Sequence, residues 1–444
     1  MLRPLLQVTA AVSALALIPI ASGAMASVDT QSYRQLDMFM EVFNRVKANY
    51  VEPVDDEKLV KGAIDGMLAA LDPHSSFADG LEFDNLKIQT DGNYGGLGLT
   101  VTQENGAVKV IAPTEDTPAA RAGMKSGDFI THIDGKLIFG SSLDEAIEQM
   151  RGKPGTKISL TVVRPGAEKP LQFTMIREVI IQKPVKWEVK GNVGYININT
   201  FTAQTGADTI KAIQEIDKKL GRKPLGYVVD LRENGGGLLS EAIAVSDVFL
   251  SHGEIVSQRG REKGDIERFY AESMVPGDLA GGLPVVVLVD SGTASASEIV
   301  AGAIQDHHRG LVMGVRSFGK GSVQSILQMG TRAALRLTTA RYYTPSGHSV
   351  QEGGIRPDLI VPQISDADYK DRPVIREADL RRHLINTDKA DDAVLEEDVR
   401  ADPRFSQTAE QLKKAGIEDF QLHYALQTIA RLGGKGPQVA TRSK

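Results

Sequence analysis

The chain has 444 residues, a formal net charge of −6 and no cysteine. That length holds two or three domains with a sizeable core. The weak acidity, without a basic stripe interleaved with aromatics, excludes a nucleic-acid partner, and the missing thiols exclude disulfides, cysteine nucleophiles and thiolate metal sites.

At the N-terminus Arg3 precedes an apolar stretch over 5–20, and Ala24-Met25-Ala26 supplies the small residues that a leader peptidase reads. The pattern predicts a signal peptide over 1–26, a mature start at Ser27, and export to the periplasm or cell envelope. The stretch is short for a spanning helix and carries Gln7 and Thr9, so any membrane association is peripheral.

Residues 27–85 form a helical region. Leu36, Phe39, Phe43 and Val46, then Leu59, Ile64, Met67 and Leu68, recur at helical spacing on either side of Pro53. Two helices are expected there. Their apolar faces, with those of a helical stretch after Gln407, have no evident cover in a monomer, which predicts a homo-oligomer or an adaptor partner.

Over 86–180 the texture changes to short alternating strands (97–102, 108–111, 130–133, 158–163), with helical segments at 118–122 and 143–150. A glycine-rich turn feeding a strand presents backbone N–H groups to a carboxylate, and Gly95, Gly96, Leu97, Gly98 and Leu99 have that form. With Pro118-Ala-Ala-Arg-Ala-Gly-Met124, Lys125-Ser-Gly-Asp128, Ile133-Asp-Gly135 and Arg151-Gly-Lys-Pro-Gly155, the region resembles a PDZ domain. The resemblance implies capture of a free peptide C-terminus by strand addition at those five residues. Arg151, at a helix end, reads as a solvated cap.

From 181 to 365 strands and helices alternate as in an α/β layer fold: strands at 193–198, 225–231 and 283–289, helices at 205–220 and 238–250. The stretch 366–444 carries an acidic run at 391–398 and helical periodicity over 407–432.

Two segments of the α/β region share one form, strand, sharp turn, helix. Asp230-Leu-Arg-Glu-Asn-Gly-Gly-Gly237 follows the first strand and Asp290-Ser-Gly-Thr-Ala-Ser-Ala-Ser-Glu298 the second, so both turns can open on one crevice. A triple glycine at a helix start allows close backbone approach to a substrate oxygen, whereas a phosphate loop would require lysine where Leu238 stands. A serine needs a base, and a buried lysine can serve; Lys320 lies in Ser317-Phe-Gly-Lys-Gly-Ser-Val-Gln324. Ser295 and Ser297 cannot both face the crevice, and spacing does not choose between them. No Gly-X-Ser-X-Gly elbow surrounds these serines, which disfavours a histidine-dependent hydrolase. No histidine pair has metal spacing, so no metal is expected, and His307 and His308 read as a helix end.

These motifs resemble the carboxyl-terminal processing peptidases, the tail-specific serine proteases. The resemblance implies a crotonase-like α/β core with an inserted PDZ domain and helical N- and C-terminal regions. It gives Ser295 the nucleophile's role, Lys320 the base's and Gln324 that of orienting the lysine, with N–H groups of Ala296 and of Gly235 or Gly236 as the oxyanion hole. No cofactor is required, and the substrates are proteins or peptides with free C-termini. The rivals are a catalytically inactive PDZ scaffold and a crotonase-type enzyme acting on thioesters.

Overall fold

The computed structural model describes residues 30–104, 106–271, 277–369, 371–386 and 403–434. The expected leader and the acidic run at 391–398 lie outside them. Internal contacts divide the chain after Ile64. In the first unit the helix Thr30–Asn49 ends before Pro53, and Leu36, Phe39, Met40 and Val42 on it are exposed. The second predicted helix runs Asp56–Ala69.

In the second unit, a six-stranded sheet joins the strands Val185–Lys190, Val193–Ile198, Tyr227–Asp230, Val285–Val289, Leu311–Gly314 and Leu359–Ile360 in that order, parallel after the first pair. Its central strands are apolar on both faces, as a covered parallel sheet requires. On one face Ile196, Val229 and Val287 pack with the helices Thr205–Leu220, Leu239–Phe249 and Ala296–Asp306. On the other, Val228, Val286 and Leu288 meet Phe420, Ala425 and Ile429 of the helix Phe420–Gly433. That corrects the expectation for the C-terminal helices: their apolar face is the third layer of this core, not an open surface.

A second sheet places the lysine segment. Its long strand Ala333–Tyr343 pairs with Ser76–Asp79, with Gly253–Arg259 and, as a hairpin, with Ser322–Gln328. The hairpin pairing slips between Val323 and Gln324, a bulge that re-aims the glutamine side chain.

The PDZ-like region has its own apolar core and a sheet ordered Leu99–Glu104, Ala107–Pro113, Phe129–Ile133, Lys157–Val163, Leu171–Ile176. The strand Leu99–Glu104 lies at the edge, as strand addition needs. Gly95 and Gly96 belong to a short strand, Asn93–Gly96, paired with Glu178–Ile181. The helix Leu143–Met150 starts on a reciprocal Ser142–Glu145 capping box. Arg151 is the C-cap of that helix, as expected, but its side chain is engaged and not merely solvated: its guanidinium lies 5.2 Å from the Tyr94 ring centroid and donates to Asn85.

Candidate active site

The strands Tyr227–Asp230 and Val285–Val289 are parallel neighbours, so the turns that follow them emerge at one end of the sheet. The turns are stitched together. Asp290 Oδ1 accepts the Glu233 N–H at 2.9 Å, and the Asn234 carbonyl accepts the Ala294 N–H at 3.0 Å and the Ser297 hydroxyl at 2.9 Å.

That arrangement separates the two serines. Ser297 is fully buried and its hydroxyl is spent on Asn234. Ser295 stands immediately before the helix Ala296–Asp306 with φ 57° and ψ −115°, a conformation that only surrounding structure can impose on a side chain with a Cβ. Gly236 presses on it from the other turn: a Cβ there would lie 2.8 Å from Ser295 Cβ and 3.0 Å from Ala296 N. Glycine at 236 is therefore steric necessity. Its N–H donates to Asn234 Oδ1 at 2.9 Å, whereas Gly235 lines the open cavity and has free space around its Cα.

Lys320 reaches the site on a loop that passes against the chain at 351–354. A Cβ on Gly319 would lie 2.9 Å from the Glu352 backbone, and one on Gly321 2.6 Å from Gln351 N. The flanking glycines permit that approach. Lys320 Nζ donates to Gln324 Oε1 at 2.6 Å, and Gln324 Nε2 donates to Ser322 Oγ at 3.0 Å and Thr338 Oγ1 at 3.1 Å. Among the described residues no hydrogen bond joins Lys320 Nζ to the Ser295 hydroxyl. Burial, with Arg336 nearby, pushes the lysine amine down to about 8, against the opposing pull of Glu377, Glu298 and Asp72.

Glu298 closes the serine motif with no role assigned from sequence, and the structure gives it a central place. Fully buried, it accepts at Oε1 from the Ser317 hydroxyl (2.6 Å) and Gly319 N–H (2.7 Å). At Oε2 it accepts from Ser295 N–H (2.7 Å) and Lys320 N–H (3.0 Å). One carboxylate oxygen thus ties the main chain at the serine to the main chain at the lysine. Burial pushes its carboxyl up to about 7 although these donors pull the other way. Serine followed three residues later by glutamate is a capping-box pattern and could have drawn attention to it. Tyr342, wholly buried beneath the site, lies 3.1 Å from the Ser295 carbonyl and 3.3 Å from Glu298 Oε2 and also donates to Lys320 O.

A cavity of about 1010 Å³ opens beside this cluster, lined by Gly235, Ala294, Lys320 and the apolar Val315, Phe318 and Ile360. It is large enough for several peptide side chains. Two of the histidines are engaged with other partners: His307 Nε2 meets the Glu254 carbonyl and His74 Nε2 meets Glu377.

Comparison with known proteins bears on this geometry. Residues 192–361 match Peptidase family S41, residues 95–174 a PDZ domain, and residues 19–80 the activating protease CtpB N-terminal domain. The carboxy-terminal-processing protease of Bartonella bacilliformis is 48% identical over 84% of this chain and 86% of its own. The carboxy-terminal processing protease CtpB of Bacillus subtilis is 35% identical over 77% and 70% respectively. Among solved structures, the photosystem II D1 C-terminal processing protease is 30% identical, with a TM-score of 0.43 over 74% of this chain and 93% of that one. With nearly half its residues shared with such a relative along most of both chains, this chain belongs to the carboxy-terminal processing proteases of peptidase family S41, and it carries their PDZ domain.

Proposed function

We propose that the protein is an exported serine endopeptidase that holds substrates by their C-termini in the PDZ domain and cleaves them at Ser295. Neutral Lys320 removes the Ser295 proton as the hydroxyl oxygen attacks the scissile carbonyl, and returns it to the leaving amine. Water then hydrolyses the acyl-enzyme by the same proton route. Gln324 orients the amine. The N–H groups of Ala296 and Gly235 receive the tetrahedral oxygen, each such donor contributing about 2.7–4 kcal/mol in other proteases. Gly235 is preferred to Gly236 because the Gly236 N–H is already bonded to Asn234.

The observation that carries this reading is the single buried carboxylate, Glu298, tying Ser295 to a lysine whose amine burial has brought down to about 8. The core is of the crotonase-like kind, and the domains run 27–85, 86–180, 181–365 and 366–444. Export is supported by the apolar leader. Peptide capture is supported by the edge strand Leu99–Glu104 and its glycine turn. Because Lys320 Nζ bonds Gln324 and not Ser295, we include a gating step in which a bound C-terminus shifts the PDZ domain and brings the two side chains together.

The test is digestion of an unfolded polypeptide by the parent, Ser295→Ala and Lys320→Ala proteins, with and without a separate C-terminal peptide. Cleavage lost in both variants, and stimulated by the peptide in the parent, is expected. A parent that never cleaves would favour the scaffold reading, and undiminished cleavage by Lys320→Ala would end the proposed mechanism.

A further inference from the structure

The segment Asp72-Pro-His-Ser75 precedes the PDZ-like region and falls not in the stretch that matches Peptidase family S41 but in the one that matches the CtpB N-terminal domain. It nonetheless joins the hydrogen-bond network that reaches Gln324 and the lysine loop. The strand Ser76–Asp79 pairs with Ala333–Tyr343, and this brings the turn before it to Thr338. Asp72, 4% exposed, accepts four contacts. Three belong to its own turn: His74 N–H (2.8 Å), Ser75 N–H (2.9 Å) and the Ser75 hydroxyl (2.8 Å). These are what a buried aspartate needs to hold a turn together. The fourth is not: Thr338 Oγ1 donates to Asp72 Oδ1 at 3.1 Å.

That fourth contact has a directional consequence. An ionised carboxylate only accepts, so the one hydroxyl proton of Thr338 is committed to Asp72 and the Thr338 oxygen is left as an acceptor. It receives Gln324 Nε2 at 3.1 Å. With its amide nitrogen engaged there and at Ser322 Oγ, Gln324 must present its carbonyl oxygen to Lys320 Nζ. Reversed, the amide would set N–H groups against the lysine amine. The same turn braces the lysine loop from a second side. His74 Nε2 meets Glu377, which accepts from Gln351 Nε2 at 3.0 Å, and Gln351 Oε1 accepts the Gly321 N–H at 3.0 Å. Glu377 and Gln351 are both fully buried.

We propose that the Asp72-Pro-His-Ser75 turn is a positioning element for the catalytic base, acting through Thr338 on the amide of Gln324 and through Glu377 and Gln351 on the lysine loop. The inference rests on the reading of Lys320 as base and Gln324 as its orienting group. Asp72 and Thr338 are positioning residues, since neither touches the reacting atoms. The charged groups acting on the lysine are Arg336, which disfavours its protonated form, and Glu377, Glu298 and Asp72, which favour it.

The test uses the whole protein and an unfolded polypeptide substrate, with kcat, KM and the pH profile measured for each variant. Thr338→Val, nearly isosteric, is expected to lower kcat by about 10²-fold, the scale of a small misplacement of a catalytic group, with little change in KM. Thr338→Ser, which keeps the hydroxyl, is expected to restore most of the turnover. In a Gln324→Ala background Thr338→Val should cost nothing further, because the group it acts through is gone. Asp72→Asn should move the acid limb of kcat/KM to lower pH, since an anion that favours the charged amine has been removed. Parental kcat in Thr338→Val overturns the proposal, as does a loss that multiplies with that of Gln324→Ala. If Thr338→Val does not fold, Asp72→Asn decides through kcat, and a parental kcat in that variant overturns the proposal. Lys320→Ala separates this inference from the reading beneath it. An inactive Lys320→Ala beside a fully active Thr338→Val removes only the positioning role, whereas an active Lys320→Ala removes the base itself.

Discussion

Replacing Lys320 by methionine should abolish turnover and, below pH 8, make the protein more stable. The amine is brought from the ordinary lysine value of 10.5 to about 8, burial being the largest cause. A tenfold loss of proton affinity on folding corresponds to about 1.4 kcal/mol, so holding the charged lysine in the folded state costs about 3 kcal/mol at neutral pH relative to the unfolded chain. The sign follows from proton counts. Between pH 8 and 10.5 the unfolded chain binds a proton that the native site has given up, so this group's contribution to stability rises with pH there and the penalty is in full force below that window. Methionine has no charge to bury. Its advantage over the parent should therefore shrink by about 3 kcal/mol between pH 7 and 10.5. The lost bond leaves Gln324 Oε1 without its donor, which reduces the gain at every pH by about 1 kcal/mol without changing that slope. Trp187, the single tryptophan, packs against the peptidase-region core and reports urea unfolding by fluorescence. If this amine is the base, as proposed, kcat/KM of the parent should climb through a midpoint near pH 8, with roughly a tenth of the plateau at pH 7. A Lys320→Met stability difference that stays flat over this range, or parental activity independent of pH between 6 and 9, would refute the reasoning.

Glu298→Gln can satisfy only one end of its donor set. With the amide oxygen kept on the Ser295 and Lys320 N–H groups, its nitrogen faces the Ser317 hydroxyl, which can accept, and the Gly319 N–H, which cannot, so one buried donor loses its acceptor at a cost of about 1–3 kcal/mol by urea unfolding, with a loss of activity. The native carboxyl, raised to about 7, holds a proton that the unfolded chain has released above 4.5, so its contribution to stability falls as pH rises across that interval. The Glu298→Gln protein should lack this component in a pH series of melts. Gly236→Ala drives a methyl into Ser295 and should inactivate the enzyme, whereas Gly235→Ala, with open space around it, should fold normally and lose less in kcat. Gly98→Ala, at φ 74° with its Cβ 2.4 Å from Thr117, should weaken binding of C-terminal peptides in calorimetry while leaving cleavage of a short peptide that does not engage the PDZ domain unchanged. On the exposed face of the helix Thr30–Asn49, Leu36→Glu with Phe39→Glu should reduce the mass measured by light scattering; a parent that is monomeric at high concentration would reject self-association.

Much of the arrangement was legible because it is local. The strand-turn-helix form of the two motif segments, the strand Val193–Ile198 and the helix Thr205–Leu220 follow from apolar period and glycine placement. The helix Gly80–Asp91 was missed because it buries no residue and has no apolar stripe to read. The strand Ser76–Asp79 is four residues long and owes its existence to a partner at 333–336, a pairing no local window contains. The fate of the C-terminal helices failed for a related reason. Their apolar face was visible, but the Val228, Val286 and Leu288 side that covers it follows only once strand order is known. Spacing left Ser295 and Ser297 open and only the family resemblance chose Ser295; what the coordinates add is that the Ser297 hydroxyl is taken up by the Asn234 carbonyl.

Under the proposed mechanism Lys320 has to lose its charge, and the electrostatics of the site explain how it can do so with several acidic groups nearby. An acidic side chain bonded directly to Lys320 Nζ would hold the amine protonated and idle. Here the amine bonds a neutral amide oxygen, and each nearby carboxylate is spent elsewhere: Glu298 on hydroxyl and backbone donors, Asp72 on its turn and Thr338, Glu377 on His74 and Gln351. Their charges still favour the protonated amine, but burial and Arg336 outweigh them and the balance falls at about 8. A glutamine beside the lysine is therefore not interchangeable with glutamate. Gln324→Glu keeps the shape and the acceptor but adds the one charge the arrangement avoids, so its kcat/KM limb should move upward by more than about one pH unit, the effect of an adjacent opposite charge. A Gln324→Glu enzyme whose limb stayed near pH 8 would show that Lys320 is not the group being titrated.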